Sequence, residues 1–435
     1  TLLLTRDGVG TNAIPFQWEY TDGTEEWWKL ELPIWETGLY FYHFEYTTAW
    51  GTSVLRRIAK TQRAGLDGTE EWQLTVYPKE FHTPDDFKGG LIYQIFPDRF
   101  FDSGTPKENV PADRILHENK SDIPVYLPDA HGQILNNDYY GGDLNGITRK
   151  LDYIESLGVN VIYLNPIAEA HSNHRYNTAD YKKVDPMLGT AEDFKTLCDA
   201  AHKKGIKIVI DGVYSHTGAD SVYFNKYGRY GNIGAYQSAD SPYYSWYTFG
   251  HSRDQYRCWW NIDTLPEVNE ENPDYMDFIT GPGGVLDYWF SLGADGVRLD
   301  VADELPDVFL DRVRECVKRH GEDKLLLGEV WEDASTKISH GGRRRYFDGR
   351  QLDGVMNYPF RNAVIEFALT ADAERFMREV NDIVEHYPPE AMHVCMNMLG
   401  THDTERILTA LSGVDLSHKS RTAQAAIKLE GDSLQ

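Results

Sequence analysis

The stretch DGVRLDVADEL, residues 295–305, decides the fold. A β-strand alternates its faces, so Arg298 and Asp300 share one side of this segment while Val297 and Leu299 share the other. Burying a charged side chain is costly unless an opposite charge and hydrogen bonds compensate it. Two charges that point the same way from a short apolar strand therefore indicate a polar site near the carboxyl end of that strand.

Apolar strands alternate with amphipathic helices from about residue 88 onward. VNVIYLNPI (159–167) is an apolar strand, TAEDFKTLCDAAHKKG (190–205) has the pattern of a helix, and IKIVIDGVYSH (206–216) is the next strand. Thr190 is a good N-cap for that helix and Gly205 a good stop. Continuous apolar strands between helices predict an α/β fold whose parallel sheet is covered on both faces.

Seven such strands can be counted, and an eighth would close a (β/α)₈ TIM barrel. We expect residues 86–435 to form this barrel, with residues 217–270 as a small insertion, domain B, after the third strand. The final segment RTAQAAIKLEGDSLQ has the composition of a helix. Either the closing strand and a C-terminal domain are missing from this chain, or the strand count is wrong.

Residues 1–85 have a different pattern, in which aromatic or β-branched residues alternate with polar ones between frequent turns. This pattern is typical of a β-sandwich, and we predict an immunoglobulin-like domain that precedes the barrel. The segment WEYTDGTEEWWKLELPIW (18–35) is rich in tryptophan. Tryptophans in alternating strands usually pack in a core, so we favour packing over sugar binding for these residues.

Composition excludes several classes of function. The formal net charge of −25 argues against nucleic acid, which requires clustered Lys and Arg. The four cysteines are far apart and form no metal-binding or disulfide pattern, and no apolar run is long enough to span a membrane. The chain begins at Thr1 without a signal-like segment. The sequence therefore leaves open whether the protein is cytoplasmic or secreted.

Polar side chains follow four of the apolar strands, and the carboxyl ends of barrel strands meet on one face. These strand-end residues are Asp211, His216, Arg298, Asp300, Glu329, His402 and Asp403. Acids at strand ends also cap helices or bond their own loops, and Asp211 is the best candidate for such a structural role. Capping does not explain an arginine on the same face as Asp300, so we predict an active site.

Clustered carboxylates with an arginine and two histidines suit the cleavage of glycosidic bonds, in which one carboxylate attacks and another donates a proton. No phosphate-binding glycine loop or nucleophilic Ser or Cys motif competes with this interpretation. We expect Arg298 to lower the pKa of Asp300 and keep it ionised. Glu329 follows the apolar run LLLG, where loss of water favours a protonated acid that can act as a donor.

Six motifs along residues 88–410 resemble those of the α-amylase family of glycoside hydrolases. They are, in chain order, GVNVIYLNPI, DGVYSH, LPEVN, GVRLDVADE, GEVW and THD. SNHRYNTADYKKVDPMLGT and a preceding sandwich resemble the branch that contains neopullulanases, cyclomaltodextrinases and maltogenic amylases. The resemblance implies retaining cleavage of α-1,4-glucosidic bonds by double displacement, in starch-derived oligosaccharides, maltodextrins, cyclodextrins or pullulan.

The resemblance also implies a role for each site residue. Asp300 would be the nucleophile, Glu329 the general acid/base and Asp403 the stabiliser of the transition state. The residues that would contact or support the sugar are His174, Tyr176, Asp211, His216, Arg298 and His402. An α-glucan transglycosylase that uses the same site is an alternative, and a non-catalytic α-glucan-binding protein is a second one.

The resemblance to the α-amylase family also bears on metal ions and on partners. Many relatives have an asparagine that binds calcium before the histidine of DGVYSH, whereas this chain has Ser215, a weak calcium ligand. No cofactor is therefore required, although Asp102 and Asp143 resemble part of a different structural Ca²⁺ site. The resemblance further implies an oligosaccharide substrate and a homodimer formed through the N-terminal domain, while the lack of a long apolar run predicts no membrane partner.

Overall fold

The computed structural model describes residues 1–130, 132 and 134–428. The chain divides into two compact units, each of which is described separately. The first unit contains residues 1–82, 331–400 and 405–413, and the second contains residues 83–330, 401–404 and, within the described residues, 414–428.

The first unit begins with antiparallel strands. They are β1 (Leu2–Arg6), β2 (Gly10–Ile14), β3 (Gln17–Asp22), β4 (Glu25–Lys29), β5 (Gly38–Thr48), β6 (Gly51–Arg57), β7 (Ala64–Gly65) and β8 (Trp72–Val76). The long strand β5 pairs with β1 along one edge, and its other edge is shared between β8 and β6. Leu2, Leu4 and Tyr40 are buried at the centre of this sheet. The N-terminal region is therefore rich in β-sheet.

Strands β3 and β4 form a separate two-stranded hairpin, and its aromatic residues are exposed. Trp18 pairs with Trp28, and Tyr20 pairs with Trp27 across a bulge. About half of each of these side chains is accessible to solvent, between 46% and 57%. The prediction that these tryptophans pack in a core was wrong, because every residue of β3 and β4, on both faces of the hairpin, is exposed to solvent.

The second unit is built on a parallel sheet, as the apolar strands predicted. Its strands, in spatial order, are β9 (Ile92–Ile95), β12 (Val161–Leu164), β15 (Lys207–Gly212), β16 (Gly296–Leu299) and β17 (Leu325–Gly328). Shorter pairs lie between them: β10 (Ile115–Leu116) with β11 (Asp138–Tyr139), and β13 (Ala168–Ala170) with β14 (Thr178–Val184). Every residue of β12, β16 and β17 is buried, which is typical of a parallel sheet covered by helices.

Helices connect the parallel strands. They are α1 (Pro97–Phe100), α2 (Leu144–Arg149), α3 (Leu151–Ser156), α4 (Ala191–His202), α5 (Pro273–Thr280), α6 (Val285–Ser291) and α7 (Asp307–Arg319). Thr190 caps α4 as predicted, since its hydroxyl accepts from the Asp193 N–H while the Asp193 carboxylate accepts from the Thr190 N–H. This reciprocal capping box fixes where the helix begins after the β14 strand.

The chain then returns to the first unit. Its remaining elements there are β18 (Ile338–Ser339), β19 (Gly342–Arg343), β20 (Gly354–Val355), α8 (Tyr358–Thr370), α9 (Ala373–His386), α10 (Pro389–Val394) and α11 (Ile407–Leu411). The last helix, α12 (Arg421–Ala425), belongs to the second unit. None of the helices in the described part of the chain is long and apolar enough to cross a membrane.

The predicted seventh strand, HVCMNMLGTHD, is mostly not a strand. Pro389 begins α10, which contains the His393 and Val394 of that segment, because proline is well suited to the first turn of a helix. Only Met396 forms a bridge, in parallel with Met356. The closure of the barrel therefore stays a prediction.

Candidate active site

Arg298 is the centre of a polar cluster at the carboxyl ends of β15, β16 and β17. Its Nη1 donates to Asp211 Oδ1 at 2.7 Å and to Asp300 Oδ1 at 2.9 Å, and its Nη2 donates to Glu329 Oε2 at 2.6 Å. The Arg298 side chain is fully buried. The charged pair in the opening sequence therefore belongs to a group of three carboxylates around one guanidinium, which compensates the cost of burying them.

Backbone register fixes the acids around this arginine. Asp211 on β15 lies opposite Arg298 on β16. The Asp300 N–H donates to the Gly212 carbonyl, and the Glu329 N–H donates to the Leu299 carbonyl, both at 3.0 Å. Interstrand pairing thus continues one residue past the ends of the strands, so the two acids are held by the sheet rather than by flexible loops.

Val301 leaves the strand immediately after Asp300. Its backbone has φ 40° and ψ 53°, a left-handed conformation that strains a β-branched residue. In this conformation the Val301 N–H donates to Glu329 Oε2 at 2.8 Å. Val301 therefore does not continue the alternation of the strand, because the chain turns here and supplies a second donor to the Glu329 carboxylate.

His402 joins the cluster through a chain of hydrogen bonds. Gln94 Nε2 donates to His402 Nδ1 at 2.8 Å, so the proton of the neutral ring is on Nε2. His402 Nε2 lies 2.6 Å from Tyr176 Oη and 3.0 Å from Asp403 Oδ2. Tyr176 Oη donates in turn to Asp211 Oδ2 at 2.8 Å. His402 and Tyr176 thereby connect Asp403 with the acid that faces the arginine.

The other two predicted histidines hold Tyr176 in place. His216 Nε2 donates to the Tyr176 carbonyl at 3.0 Å, and His174 Nδ1 accepts from the Tyr176 N–H at 3.1 Å. The Tyr176 ring lies parallel to that of His402, with centroids 5.3 Å apart and 7° between the planes. The structure thus brings together all nine residues that the sequence predicted for catalysis and sugar binding.

The histidines of the site are neutral near pH 7. Burial lowers the pKa of His174, His216 and His402 to about 4, because a buried imidazolium loses its hydration. For His402 the positive charge of Arg298 adds to this effect. Neutral imidazoles act here as directional donors and acceptors rather than as cations.

The pKa of Asp300 differs from the sequence prediction. Burial raises the pKa of Asp300 well above its ordinary value, and although Arg298 opposes this rise, the charges of Glu329 and Asp211 add to it. Arg298 does not lower the pKa of Asp300 below normal, because burial, together with the charges of Glu329 and Asp211, outweighs its effect. Burial and the charge of Glu329 also raise the pKa of Asp403 to about 6.

Comparison with known proteins identifies the family of this site. The profile described as "Alpha amylase, catalytic domain" matches residues 94–431, which include every residue of the cluster. The chain belongs to the alpha-amylase family. The predicted resemblance to this family is confirmed, and proteins named neopullulanase, cyclomaltodextrinase and maltogenic amylase are among its relatives.

Individual relatives share about a third of their residues with this chain. An amylopullulanase from Thermoanaerobacterium thermosulfurigenes is 36% identical over 96% of this chain and 24% of its own length. Neopullulanase 2 from Thermoactinomyces vulgaris is 35% identical over 77% of this chain and 53% of its own. The chain thus spans about a quarter to a half of the length of these relatives.

A solved structure is also similar. The cyclic alpha-maltosyl-(1→6)-maltose hydrolase from Arthrobacter globiformis is 31% identical, with a TM-score of 0.64. The alignment covers 76% of this chain and 69% of the hydrolase.

Three members of the polar cluster were missed by the sequence reasoning. Tyr163 Oη donates to Asp211 Oδ2 at 2.6 Å, and Asn165 Nδ2 donates to Tyr176 Oη at 3.1 Å. Gln94 is the donor to His402 described above. Gln94 could have been found as the one amide in the apolar strand GLIYQIF, and Asn165 as a polar residue at a strand end. Tyr163 gave no such signal, because a tyrosine in an apolar strand looks like a core residue.

The two predicted metal ligands of this amylase-family chain lie outside the cluster and are paired with lysines. Asp143 Oδ2 accepts from Lys107 Nζ at 2.5 Å, and its Oδ1 caps α2 by accepting from the Gly146 N–H at 2.6 Å. Asp102 Oδ2 accepts from Lys120 Nζ at 2.9 Å. Calcium requires six to eight oxygen ligands, and an ammonium beside each carboxylate repels a divalent cation. These residues, as arranged, do not fit a calcium ion.

The aromatic residues of the insertion divide into two groups. Trp246 and Tyr247 of the YYSWYTF segment are buried and pack on Phe278 and Phe224 respectively, so these two residues belong to a small aromatic core. Trp260, in contrast, is 74% exposed and stacks on Trp259, which itself lies 5.4 Å from the His216 ring. This indole pair is the aromatic surface that adjoins the cluster.

Proposed function

We propose that this chain is the catalytic part of a retaining glycoside hydrolase that cleaves α-1,4-glucosidic bonds of starch-derived oligosaccharides, maltodextrins, cyclodextrins or pullulan. The observation that carries the proposal is the position of Asp300 and Glu329 on the two Nη atoms of Arg298. Two carboxyl groups held this close suit double displacement, in which one attacks while the other donates a proton. Membership of the alpha-amylase family supports the same reaction.

In the first step, Asp300 attacks the anomeric carbon and Glu329 protonates the departing glycosidic oxygen. Arg298 binds Asp300 through Oδ1, so we assign the attack to Oδ2. The bond between the anomeric carbon and the leaving oxygen breaks as the new bond to Asp300 forms, and the Glu329 proton passes to the leaving sugar.

In the second step, the Glu329 carboxylate removes a proton from water, and the oxygen of that water attacks the anomeric carbon. The bond to Asp300 breaks, the product keeps the α configuration, and Glu329 is protonated again. Arg298 Nη2 and the Val301 N–H both donate to Glu329 Oε2 and orient this carboxylate. Repeated use of one acid as donor and acceptor requires such fixed geometry.

We assign to Asp403 and Tyr176 the role of stabilising the positive charge that develops on the sugar. Asp403 is held by His402, and its carboxylate would stabilise an oxocarbenium-like transition state. The Tyr176 ring, fixed by hydrogen bonds from both sides of its backbone, would stack under the same sugar. His174, His216 and Asp211 would then act by positioning the tyrosine and the arginine.

The test is hydrolysis of maltotetraose and γ-cyclodextrin, with the anomeric form of the first product followed by NMR. We expect α-anomers from the unaltered protein and a loss of turnover of at least about 10³-fold for Asp300→Asn and Glu329→Gln. The exposed Glu315→Gln, on α7, is the matched control and should retain full activity. β-Anomers, or normal turnover in Asp300→Asn, would contradict the proposal.

A transglycosylase would use the same covalent intermediate with a sugar in place of water. Product analysis at high acceptor concentration separates the two outcomes, since transfer gives products longer than the substrate. A non-catalytic binder would retain the affinity for maltotetraose but show no turnover in any variant.

We further propose that residues 86–435 represent a (β/α)₈ barrel with residues 217–270 as domain B, and that residues 1–85 form a sandwich domain. The five neighbouring parallel strands and the antiparallel N-terminal sheet support this division. The exposed hairpin aromatics support a homodimer formed through the N-terminal domain. Analytical ultracentrifugation should then give a dimer that Trp18→Ser with Trp28→Ser converts to a monomer.

We propose that the Asp102 and Asp143 region requires no calcium. Lys120 and Lys107 supply the positive charge that a metal ion would otherwise provide to these carboxylates. No step of the reaction passes through a metal ion.

A further inference from the structure

Three side chains of the types that bind zinc lie together where α6 meets α7. Asp287 lies on α6, Cys316 lies on α7, and His320 directly follows α7. Each residue offers one ligand atom: a carboxylate oxygen, a thiol sulfur and a ring nitrogen. These three atoms lie within 4.8 Å of one another. The group is separate from the catalytic cluster and shares no residue with it.

The spacing of Cys316 and His320 places both on one side of α7. Residues four apart on a helix lie one above the other, and His320 keeps a helical backbone with φ −83° and ψ −11°. His320 Nε2 lies 2.7 Å from Asp287 Oδ1, and Cys316 Sγ lies 3.5 Å from the same oxygen. Tetrahedral zinc with bonds of about 2.0–2.3 Å separates its ligand atoms by roughly 3.3–3.8 Å. The sulfur–oxygen distance already fits this geometry, and the nitrogen–oxygen distance must lengthen by less than about 1 Å.

The mixture of ligand atoms favours zinc over calcium or magnesium. Zinc binds thiolate, imidazole and carboxylate ligands, whereas the hard cations Ca²⁺ and Mg²⁺ prefer oxygen alone. Three protein ligands leave the fourth tetrahedral position to water. Cys316 is fully buried, whereas the side chains of Asp287 and His320 are 19% and 25% exposed. An ion can therefore enter from the solvent side.

Neighbouring groups orient two of the three ligands. Asp287 Oδ2 accepts from the Gly283 N–H at 2.8 Å, which leaves Oδ1 for the ligand position. The His320 ring stacks on Phe290, with centroids 5.0 Å apart and 17° between the planes. Metal sites commonly contain such supporting contacts, because they fix the direction of each ligand before the ion arrives.

Arg319 contacts the same ligand atoms and is the competitor of an ion. Its Nη2 donates to Asp287 Oδ1 at 2.6 Å, to Cys316 Sγ at 3.2 Å and to the Thr280 carbonyl at 3.2 Å. A guanidinium and a zinc ion are both cations, so only one of them can take the Asp287 oxygen. The Arg319 side chain is 44% exposed, so it has room to turn into solvent when an ion enters.

We propose that Asp287, Cys316 and His320 form a zinc site that joins α6 to α7 when Arg319 turns away. On binding, the Cys316 thiol loses its proton to water and the sulfur binds zinc as a thiolate. Burial raises the pKa of this thiol to about 12, and Arg319 competes for the site, so we expect zinc binding only when zinc is supplied. A bound ion then stabilises the folded protein, because the unfolded chain does not bring the ligands together. The proposal does not depend on the proposed function.

The alternative is that these side chains and Arg319 only form an ion-pair group that joins the two helices. The two interpretations differ in the effect of removing the arginine. Without a metal site, Arg319→Ala removes an ion pair and creates no affinity for zinc. With a metal site, the same substitution removes a competing cation and tightens zinc binding.

The experiment titrates the metal-free protein with Co²⁺, which takes the place of zinc and gives a charge-transfer absorption band when a thiolate binds it. We expect one Co²⁺ ion per chain and loss of the band when Zn²⁺ is added. Cys316→Ser should abolish the band, whereas Cys258→Ser, the control cysteine outside the group, should leave it unchanged. His320→Gln should weaken Zn²⁺ binding by more than about 10-fold, since even the loss of a supporting contact costs that much. Arg319→Ala should tighten Zn²⁺ binding about 5-fold, the size expected for one ion pair near the surface.

The melting temperature with added Zn²⁺ is a second readout. It should rise in the unaltered protein and in Cys258→Ser, and stay the same in Cys316→Ser and His320→Gln. The melting transition without metal shows that each variant is folded, and His320→Gln carries the test if Cys316→Ser does not fold. The absence of a band in the unaltered protein, a band that survives Cys316→Ser, or equal zinc affinity with and without Arg319 would overturn the proposal.

Discussion

Asp211 and Arg298 face each other in register on neighbouring parallel strands, with Oδ1 and Nη1 2.7 Å apart. The Asp211 side chain also accepts from the hydroxyls of Tyr163 and Tyr176. One strand-end acid therefore connects the arginine that holds Asp300 and Glu329 to the tyrosine assigned to the sugar. Substitution of Asp211 or Arg298 therefore tests how the negative and positive charges of the site compensate each other.

Asp211→Asn should shift the acidic limb of the pH–rate profile to lower pH. The negative charge of Asp211 raises the pKa of Asp300. Asp211 also forms an ion pair with Arg298, the same arginine that pairs with Asp300. Removing that charge lowers the pKa of Asp300, so the ionised nucleophile persists in more acidic solution. The measurement is kcat/KM from pH 4 to pH 8. Asp152→Asn, on the exposed surface of α3, should leave the profile in place, and an unshifted Asp211→Asn profile would contradict this charge balance.

Arg298→Met should destabilise the protein at neutral pH. It leaves three carboxylates buried without their shared partner, and breaking a buried ion pair costs about 3–5 kcal/mol of unfolding free energy. The loss should be smaller at pH 5, where the acids take up protons. Urea denaturation at both pH values checks this, with Arg312→Met, from an exposed pair on α7, as the control. An equal loss at both pH values would show that packing, not charge, dominates.

The three neutral histidines should make the protein less stable in acid. Their pKa is about 4 in the folded state, below the unfolded value, so the unfolded chain binds more protons between pH 6.5 and pH 4. Their contribution to stability is complete above pH 6.5 and is lost as the pH falls toward 4. His216→Gln should reduce the loss of unfolding free energy between pH 7 and pH 4.5 by about 1–3 kcal/mol.

The exposed His251→Gln is the control for this experiment and should lose as much stability as the unaltered protein. If His216→Gln behaves in the same way, His216 is not held neutral by the fold.

Chelators should leave the melting temperature of the protein unchanged. Lys107 pairs with Asp143 and Lys120 pairs with Asp102, so these carboxylates keep their positively charged partners when calcium is removed from the solution. Lys107→Met should lower the melting temperature, because Asp143 is buried and would lose its partner. Differential scanning calorimetry with EDTA and with added CaCl₂ checks both statements. The exposed Lys195→Met is the control, and a fall in melting temperature with EDTA would contradict the lysine assignment.

The sequence predicted the parallel sheet and the members of the cluster because each strand carries its own signal. Apolar runs such as VIYL and LLLG are buried along their whole length, and the charged residues follow them at the strand ends. Asp300 and Glu329 could be predicted together because parallel strands place their carboxyl ends side by side. The type of reaction came from the resemblance of the motifs to the alpha-amylase family and not from the strand pattern.

Other features depended on contacts that a linear pattern does not contain. The turn at Val301 is imposed by its hydrogen bond to Glu329, although valine itself favours a strand. The direction of the Asp300 pKa shift depends on how deeply the carboxyl group is buried and on which acids lie beside it, and only the packed structure reveals both. Likewise, no pattern in the sequence distinguishes the exposed Trp18 and Trp28 from tryptophans that a second sheet layer covers.

The central claim is that Asp300 attacks the sugar while Glu329 handles the proton. The most direct test is to react the protein with a 5-fluoro-α-glucosyl fluoride, which slows breakdown of the covalent intermediate, and to map the labelled peptide by mass spectrometry. We expect one 5-fluoroglucosyl group on Asp300 and no labelling in Asp300→Asn. A label on any other residue, or normal turnover with Asp300 replaced, would contradict it.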